Sequence, residues 1–207
     1  MILNNNKYIE LINYSENQFK NELIKMFNKI NEGFVDGDEK GSILKTPDII
    51  NESIKIAIEI KDDKISKFCN SRSQEYNIFE LNKQFYSRIR DASQKFKIKK
   101  YSNYKTILLF RTKLPMASLV KSAINGIHSF EKVTEGEILK PPGNKWIISK
   151  GLSYVRHLNT HKRQNIGCFI ILNEDGYYYF SNEFSIKPMS VSKKYAEKIF
   201  GMNLMDC

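Results

Sequence analysis

Two short stretches hold the residues whose types and spacing could do chemistry. Pro47-Asp48 is the only Pro-Asp pair in the chain, and Glu59-Ile60-Lys61 begins eleven positions after Asp48. An acid-x-Lys tripeptide carries little information alone, since Asp38-Glu39-Lys40 and Asp62-Asp63-Lys64 also occur. Context separates the copy at Glu59. From Ile54 to Lys61 the sequence alternates strictly, with Ile54, Ile56, Ile58 and Ile60 on one side of an expected strand and Lys55, Ala57, Glu59 and Lys61 on the other. Ser42 to Ile50 reads as extended and Asn51 to Ser53 as a turn, so the two strands form a β-hairpin that brings Asp48 beside Glu59 and Lys61. Two carboxylates converging on one point make a hard oxygen site suited to Mg2+ or Mn2+. An ammonium one strand step away can position water on such a cation, or help to deprotonate it. The alternative is a surface hairpin on which Asp48, Glu59 and Lys61 are solvated charges.

The elements that must hold this hairpin follow from periodicity. Ser15 opens an S-x-x-Q capping box with Gln18, and Phe19, Leu23, Met26, Phe27 and Ile30 predict an amphipathic helix over about 16–31. Gly33, Gly37 and Gly41 punctuate a turn-rich acidic stretch containing Asp36, Asp38 and Glu39. Ile78, Leu81, Phe85, Ile89, Ala92 and Phe96 recur at steps of three and four, which predicts a helix over about 73–97 with one apolar stripe. Thr106 to Arg111 predicts a strand, and Pro115 starts a helix expected to run to about Phe130. Pro141, Pro142 and Gly143 break the chain. Strands are expected at Trp146 to Ser149, at Cys168 to Leu172 and from Tyr177, the last two joined as a second hairpin by a turn at Asn173 to Gly176. A final helix is expected over about 192–200. The fold class is therefore α/β or α+β, a mixed sheet flanked by helices.

Composition bounds what such a chain can be. With 207 residues, 41% hydrophobic and 27% charged, it is expected to form one domain with a core that needs no staples. Cys69, Cys168 and Cys207 are widely spaced and lack any CxxC, which indicates neither a disulfide framework nor a zinc ribbon and suits a reducing compartment. The first ten residues hold no long apolar run, and the longest apolar stretch, Cys168 to Leu172, is far short of a membrane span. A cytoplasmic protein with no membrane partner is the expectation. The net charge of +10 is unevenly spread. Met1 to Asp63 carries 8 basic and 12 acidic residues; Lys83 to Lys113 carries ten basic residues against Asp91 alone; Lys140 to Arg163 carries six against none. An acidic N-terminal portion on a basic body suggests a polyanionic partner and a local cation site, because carboxylates near phosphate need a metal between them.

Taken together, Pro47-Asp48 and Glu59-Ile60-Lys61, with a helix before them and a long basic helix and strand after, resemble the PD-(D/E)xK, restriction-endonuclease-like nuclease superfamily. The resemblance covers about Ser15 to Lys113. It implies that Asp48 and Glu59, with the carbonyl of Ile60, bind Mg2+ or Mn2+, and that Lys61 assists the attacking water. Members often add an acid from the first helix, for which Glu22 is the candidate, with Glu16 and Asp36 as rivals. Many also carry a polar or basic residue on the helix after the motif; Gln94 is the first choice among Gln84, Arg88, Gln94 and Lys95. The resemblance implies a nuclease core over 15–113, with 114–207 elaborating it for DNA recognition or dimerisation by an extra hairpin and helices. It further implies a DNA endonuclease, most simply a small type II restriction enzyme acting as a homodimer on double-stranded DNA, with a companion methyltransferase as a partner to look for. Repair, recombination or mobile-element nucleases share the hairpin, RNA is open to the same chemistry, and an idle DNA-binding protein is the alternative outside catalysis. Expected phosphate contacts are Lys83, Arg88, Arg90, Lys95, Lys145, Lys150, Arg156, Lys162 and Arg163.

Other constellations are weaker. His157 and His161 are four apart but have no Glu between them and no third ligand in view, so phosphate contact or a plain basic surface is favoured over zinc. Tyr177 to Phe180 could stack bases, but four consecutive aromatics in a strand fit a two-sided sheet or an interface better. No GxxxxGK[ST], GxSxG or GxGxxG occurs, so a nucleotide-driven motor, an α/β hydrolase and a dinucleotide enzyme lack their signatures.

Overall fold

The computed structural model describes residues 10–38, 46–62, 78–112, 127–130, 146–149, 152–156 and 164–207, with the backbone alone for 78–84 and for 127–156 where described. The expected capping box is formed: the Ser15 side chain accepts from the Gln18 N–H, the Gln18 side chain accepts from the Ser15 N–H, and α1 (Glu16–Asn28) begins there. The chain then crosses β1 (Phe34–Asp36), β2 (Ile49–Asn51) and β3 (Ile56–Asp62), all antiparallel neighbours. From β3 the long helix α2 (Ile78–Phe96) leads to β4 (Lys105–Arg111), which lies parallel to β3. After β4 come β5 (Ile127–Phe130), β6 (Trp146–Ser149) and β7 (Leu152–Arg156), a separate three-stranded antiparallel sheet in the order β5-β7-β6. The chain returns as β8 (Cys168–Asn173), parallel to β4, and turns into β9 (Gly176–Ser181). Ser192 caps α3 (Lys193–Phe200), and β10 (Met205–Asp206) closes the main sheet in the order β1-β2-β3-β4-β8-β9-β10.

This is a mixed α+β architecture whose central sheet is covered on both faces. Phe19, Leu23 and Phe27 of α1, with Ile199 and Phe200 of α3, pack on Ile58, Ile60, Ile107, Leu109 and Ile170. Phe85, Ile89, Ala92 and Phe96 of α2 pack on the other face, against Ala57, Leu108, Phe110, Phe169 and Ile171. Each such side chain contributes roughly 1.5–3 kcal/mol by leaving water, so two helical layers hold the middle strands firmly. A strand between two layers reads apolar throughout, and β4 and β8 do.

Three expectations change. Ile54 sits in the hairpin turn and is exposed, so the isoleucine stripe begins at Ile56. Ile127–Phe130 is a strand paired with β7, where a helix end was expected; cross-strand pairing wins over a local apolar spacing that fits either element. Residues 164–207, expected within an elaboration, supply three of the seven strands of the central sheet and share its core.

Candidate metal centre

The backbone of the hairpin places Asp48. β2 pairs with β3 from Ile49 opposite Ile58, and Asp48 precedes β2. Continuing that register by two residues brings Pro47 opposite Ile60, and proline has no N–H for the ladder. The Ile60 N–H donates to the Asp48 side chain, to Oδ2 at 2.6 Å. The Ile60 carbonyl lies on the same edge of β3, where proline offers no donor. Behind this, the Gly37 N–H donates to the Asp48 carbonyl at 2.9 Å, and a Cβ on Gly37 would collide with the Pro47 carbonyl oxygen. Glycine is thus required for the loop after β1 to brace the Pro-Asp pair.

Glu59 and Lys61 share a face of β3, as alternation requires, but that face lies under α2 and not in solvent. Glu59 is 0% exposed, which excludes the solvated-surface alternative for it. Lys61 Nζ and Lys95 Nζ each stand 2.7 Å from Glu59 Oε1, and Lys95 Nζ is 3.6 Å from Asp48 Oδ1. Among the described residues nothing donates a hydrogen bond to the buried Glu59 Oε2. Burial and then the charge of Glu59 push Asp48 up to about 7, against the lowering pull of Lys95 and the Ile60 N–H; Asp38 adds to the rise. For Lys95 burial acts to lower the pKa, but Glu59 and Asp48 reverse it and hold the ammonium above its ordinary range.

Two buried carboxylates, Glu59 raising the proton affinity of Asp48 and having an oxygen that lacks a donor, fit a hard divalent cation. Among the described residues no three His, Cys, Asp or Glu side chains form a metal site by themselves. The donors brought together are the two carboxylates, to which the resemblance would add the Ile60 carbonyl, and Mg2+, which keeps several waters, needs few protein ligands.

The other expected residues divide. Gln94 is exposed, and its neighbour Lys95 reaches the acids in its place. The reason is helical phase: α2 buries Phe85, Ile89, Ala92 and Phe96, and at 100° per residue Gln94 falls half a turn from that stripe whereas Lys95 falls a quarter turn. Lys95, expected on phosphate, has its ammonium on Glu59. Arg88, two turns before Lys95, is half-buried, and its Nη1 is buried without a hydrogen-bond acceptor among the described residues. Arg90 is exposed, with Asp91 3.7 Å away. Glu22 pairs with Lys25 at 2.6 Å, Glu16 is exposed, and Asp36 pairs with Lys20 at 2.9 Å. Lys20 also holds Asp38, at 3.0 Å. Arg111, counted in the basic run, is buried against Asp62. Tyr177 packs on one face of the sheet and Tyr178 and Phe180 on the other, as expected of a two-sided strand. Lys83 and Gln84 lie on α2 and Arg156 on β7, but their side chains, and all of Lys145, Lys150, His157, His161, Lys162 and Arg163, lie outside the described residues.

No family model, curated protein or solved structure matches this chain. Among the described residues no helix is long and apolar enough to cross a membrane.

Proposed function

We propose that this chain is a Mg2+- or Mn2+-dependent endonuclease that hydrolyses DNA phosphodiester bonds, a restriction-endonuclease-like enzyme of the small type II kind. The observation that carries this reading is the buried pair Asp48 and Glu59 with Lys61 at 2.7 Å, on a hairpin flanked by a helix before and a helix and parallel strand after. The cation would supply Lewis-acid polarisation of a phosphate oxygen and a water acidic enough to ionise near neutrality. Asp48 and Glu59 would hold it through carboxylate oxygens, with Ile60 adding its carbonyl. Lys61 Nζ, anchored on Glu59 Oε1, would orient the attacking water. The basic segment from Lys83 to Lys100 would grip backbone phosphates, and the segment from Lys140 to Arg163 is assigned to DNA recognition. Cutting both strands of a duplex calls for two such centres, hence a homodimer.

The test is cleavage of unmethylated phage DNA with Mg2+ by the wild type, Glu59→Ala and Lys61→Ala. Discrete bands from the wild type alone support a sequence-specific nuclease at this hairpin, and a smear from the wild type alone supports a non-specific one. Intact duplex, single-stranded and branched DNA with both Mg2+ and Mn2+ would overturn DNA cleavage.

A further inference from the structure

Lys95 touches both acids of the pair at once. Its Nζ is 2.7 Å from Glu59 Oε1 and 3.6 Å from Asp48 Oδ1, whereas Lys61 has an ion pair with Glu59 alone. A charge that reaches both carboxylates occupies the region where a cation held by both would lie. With both acids ionised, as cation binding requires, the two acids and two ammoniums sum to zero, so a dication added without rearrangement would leave two excess positive charges in a buried pocket. Like charges that close repel strongly where water is scarce. Lys95 has the means to leave: its side chain is 15% exposed, it sits at the flank of α2, and its four-carbon stem is flexible.

We propose that Lys95 is the resident counter-ion of the metal-free centre and is displaced from Asp48 and Glu59 when a divalent cation binds. The inference rests on the reading of those two acids as metal ligands and adds an exchange step to it. Cation affinity is then set by competition with an internal lysine, and binding frees an ammonium beside the centre for a phosphate oxygen of the substrate.

The experiment is Mn2+ binding by calorimetry to the full chain without DNA, comparing the wild type with Lys95→Met, Lys95→Arg, Lys61→Met and Asp48→Asn. Lys95→Met should bind Mn2+ about tenfold more tightly than the wild type, Lys61→Met should gain less, and Lys95→Arg should stay close to the wild type. Unchanged or weaker binding by Lys95→Met, with Asp48→Asn still abolishing it, overturns the displacement alone and makes Lys95 a fixed scaffold. Equal binding by the wild type and Asp48→Asn, or none by either, overturns the ligand assignment and the displacement with it. A second measurement needs no variant: acetylation of the wild type, read by mass spectrometry, should be several times faster at Lys95 with Mn2+ than without. Equal rates would contradict the exchange.

Discussion

Lys61 and Asp62 are consecutive on β3, point to opposite faces of the sheet, and enter two buried charge clusters of opposite character. Toward α1, Asp62 receives Arg111 through both carboxylate oxygens. The remaining guanidinium nitrogen donates to the carbonyls of Leu11 at 3.2 Å and Tyr14 at 2.6 Å, and the Phe19 ring lies 4.5 Å from the guanidinium carbon. Fork, carboxylate and carbonyls satisfy one another, and the cluster ties the helical turn Glu10–Asn13 to the end of the sheet. Toward α2, two acids crowd two ammoniums onto a single oxygen, one carboxylate oxygen lacks a donor, and Asp48 holds its proton up to about pH 7. Burial of charge is common to both clusters. What separates structure from candidate site is whether the protein's own groups satisfy every charged oxygen and nitrogen, as they do around Arg111 and do not at Glu59 Oε2.

The sharpest way to break this contrast is to neutralise one acid of the unsatisfied cluster. Asp48→Asn should lower Mg2+-dependent cleavage on the order of 10^4-fold, yet leave the melting temperature in EDTA no lower than the wild type's, because it removes a repulsion. An unfolded Asp48→Asn protein would place Asp48 with the structural charges. Arg111→Met should do the reverse. It should cost about 3 kcal/mol in urea unfolding, by leaving the partly buried Asp62 and the carbonyls of Leu11 and Tyr14 without their donor, and leave Mn2+ affinity unchanged. Adding Asp62→Leu should recover most of that loss.

Protonation sharpens the contrast further. In the metal-free protein Asp48, faced by Glu59, Lys95 and Asp38, titrates near pH 7, whereas in the unfolded chain it ionises near pH 4. The folded state therefore binds more protons between those values. The stability this group contributes is complete below about pH 4, declines as pH rises, and is gone above about pH 7. A divalent ion must displace that proton, so Mn2+ affinity should climb about tenfold per pH unit up to 7 and then level. Affinity that is flat from pH 5 to 8 would remove Asp48 from the ligands. The smallest expected effect is that of Gly37→Ala, about 1–3 kcal/mol of stability with weaker Mn2+ binding, as the Pro47–Asp48 backbone shifts away from the new methyl group.

Much of this is legible in the residues, for reasons that also mark the limits. Ser15 and Gln18 announce α1, the stripe from Phe85 to Phe96 announces α2, and alternation from Ile56 onward puts Glu59 and Lys61 together. The short strands are silent. β1 and β10 have three and two residues, and β10 exists because α3 delivers Met205 and Asp206 to the edge of β9. Alternation also suggests a wet face for Glu59, since nothing in a strand's own pattern says that a helix will cover it. Lys95 could have been preferred to Gln94 by counting 100° per residue from the α2 stripe. Arg111 could not have been separated from its exposed basic neighbours, because its partners, Asp62 and the carbonyls of Leu11 and Tyr14, are brought to it only by the fold.

The most direct measurement is a Mn2+ isotherm for the wild type, Asp48→Asn and the Arg111→Met/Asp62→Leu double variant in the same buffer. A divalent site at Asp48 and Glu59 predicts saturable binding by the wild type, the same affinity in the double variant, and none in Asp48→Asn. Binding that survives in Asp48→Asn, or that is lost only in the double variant, would contradict it.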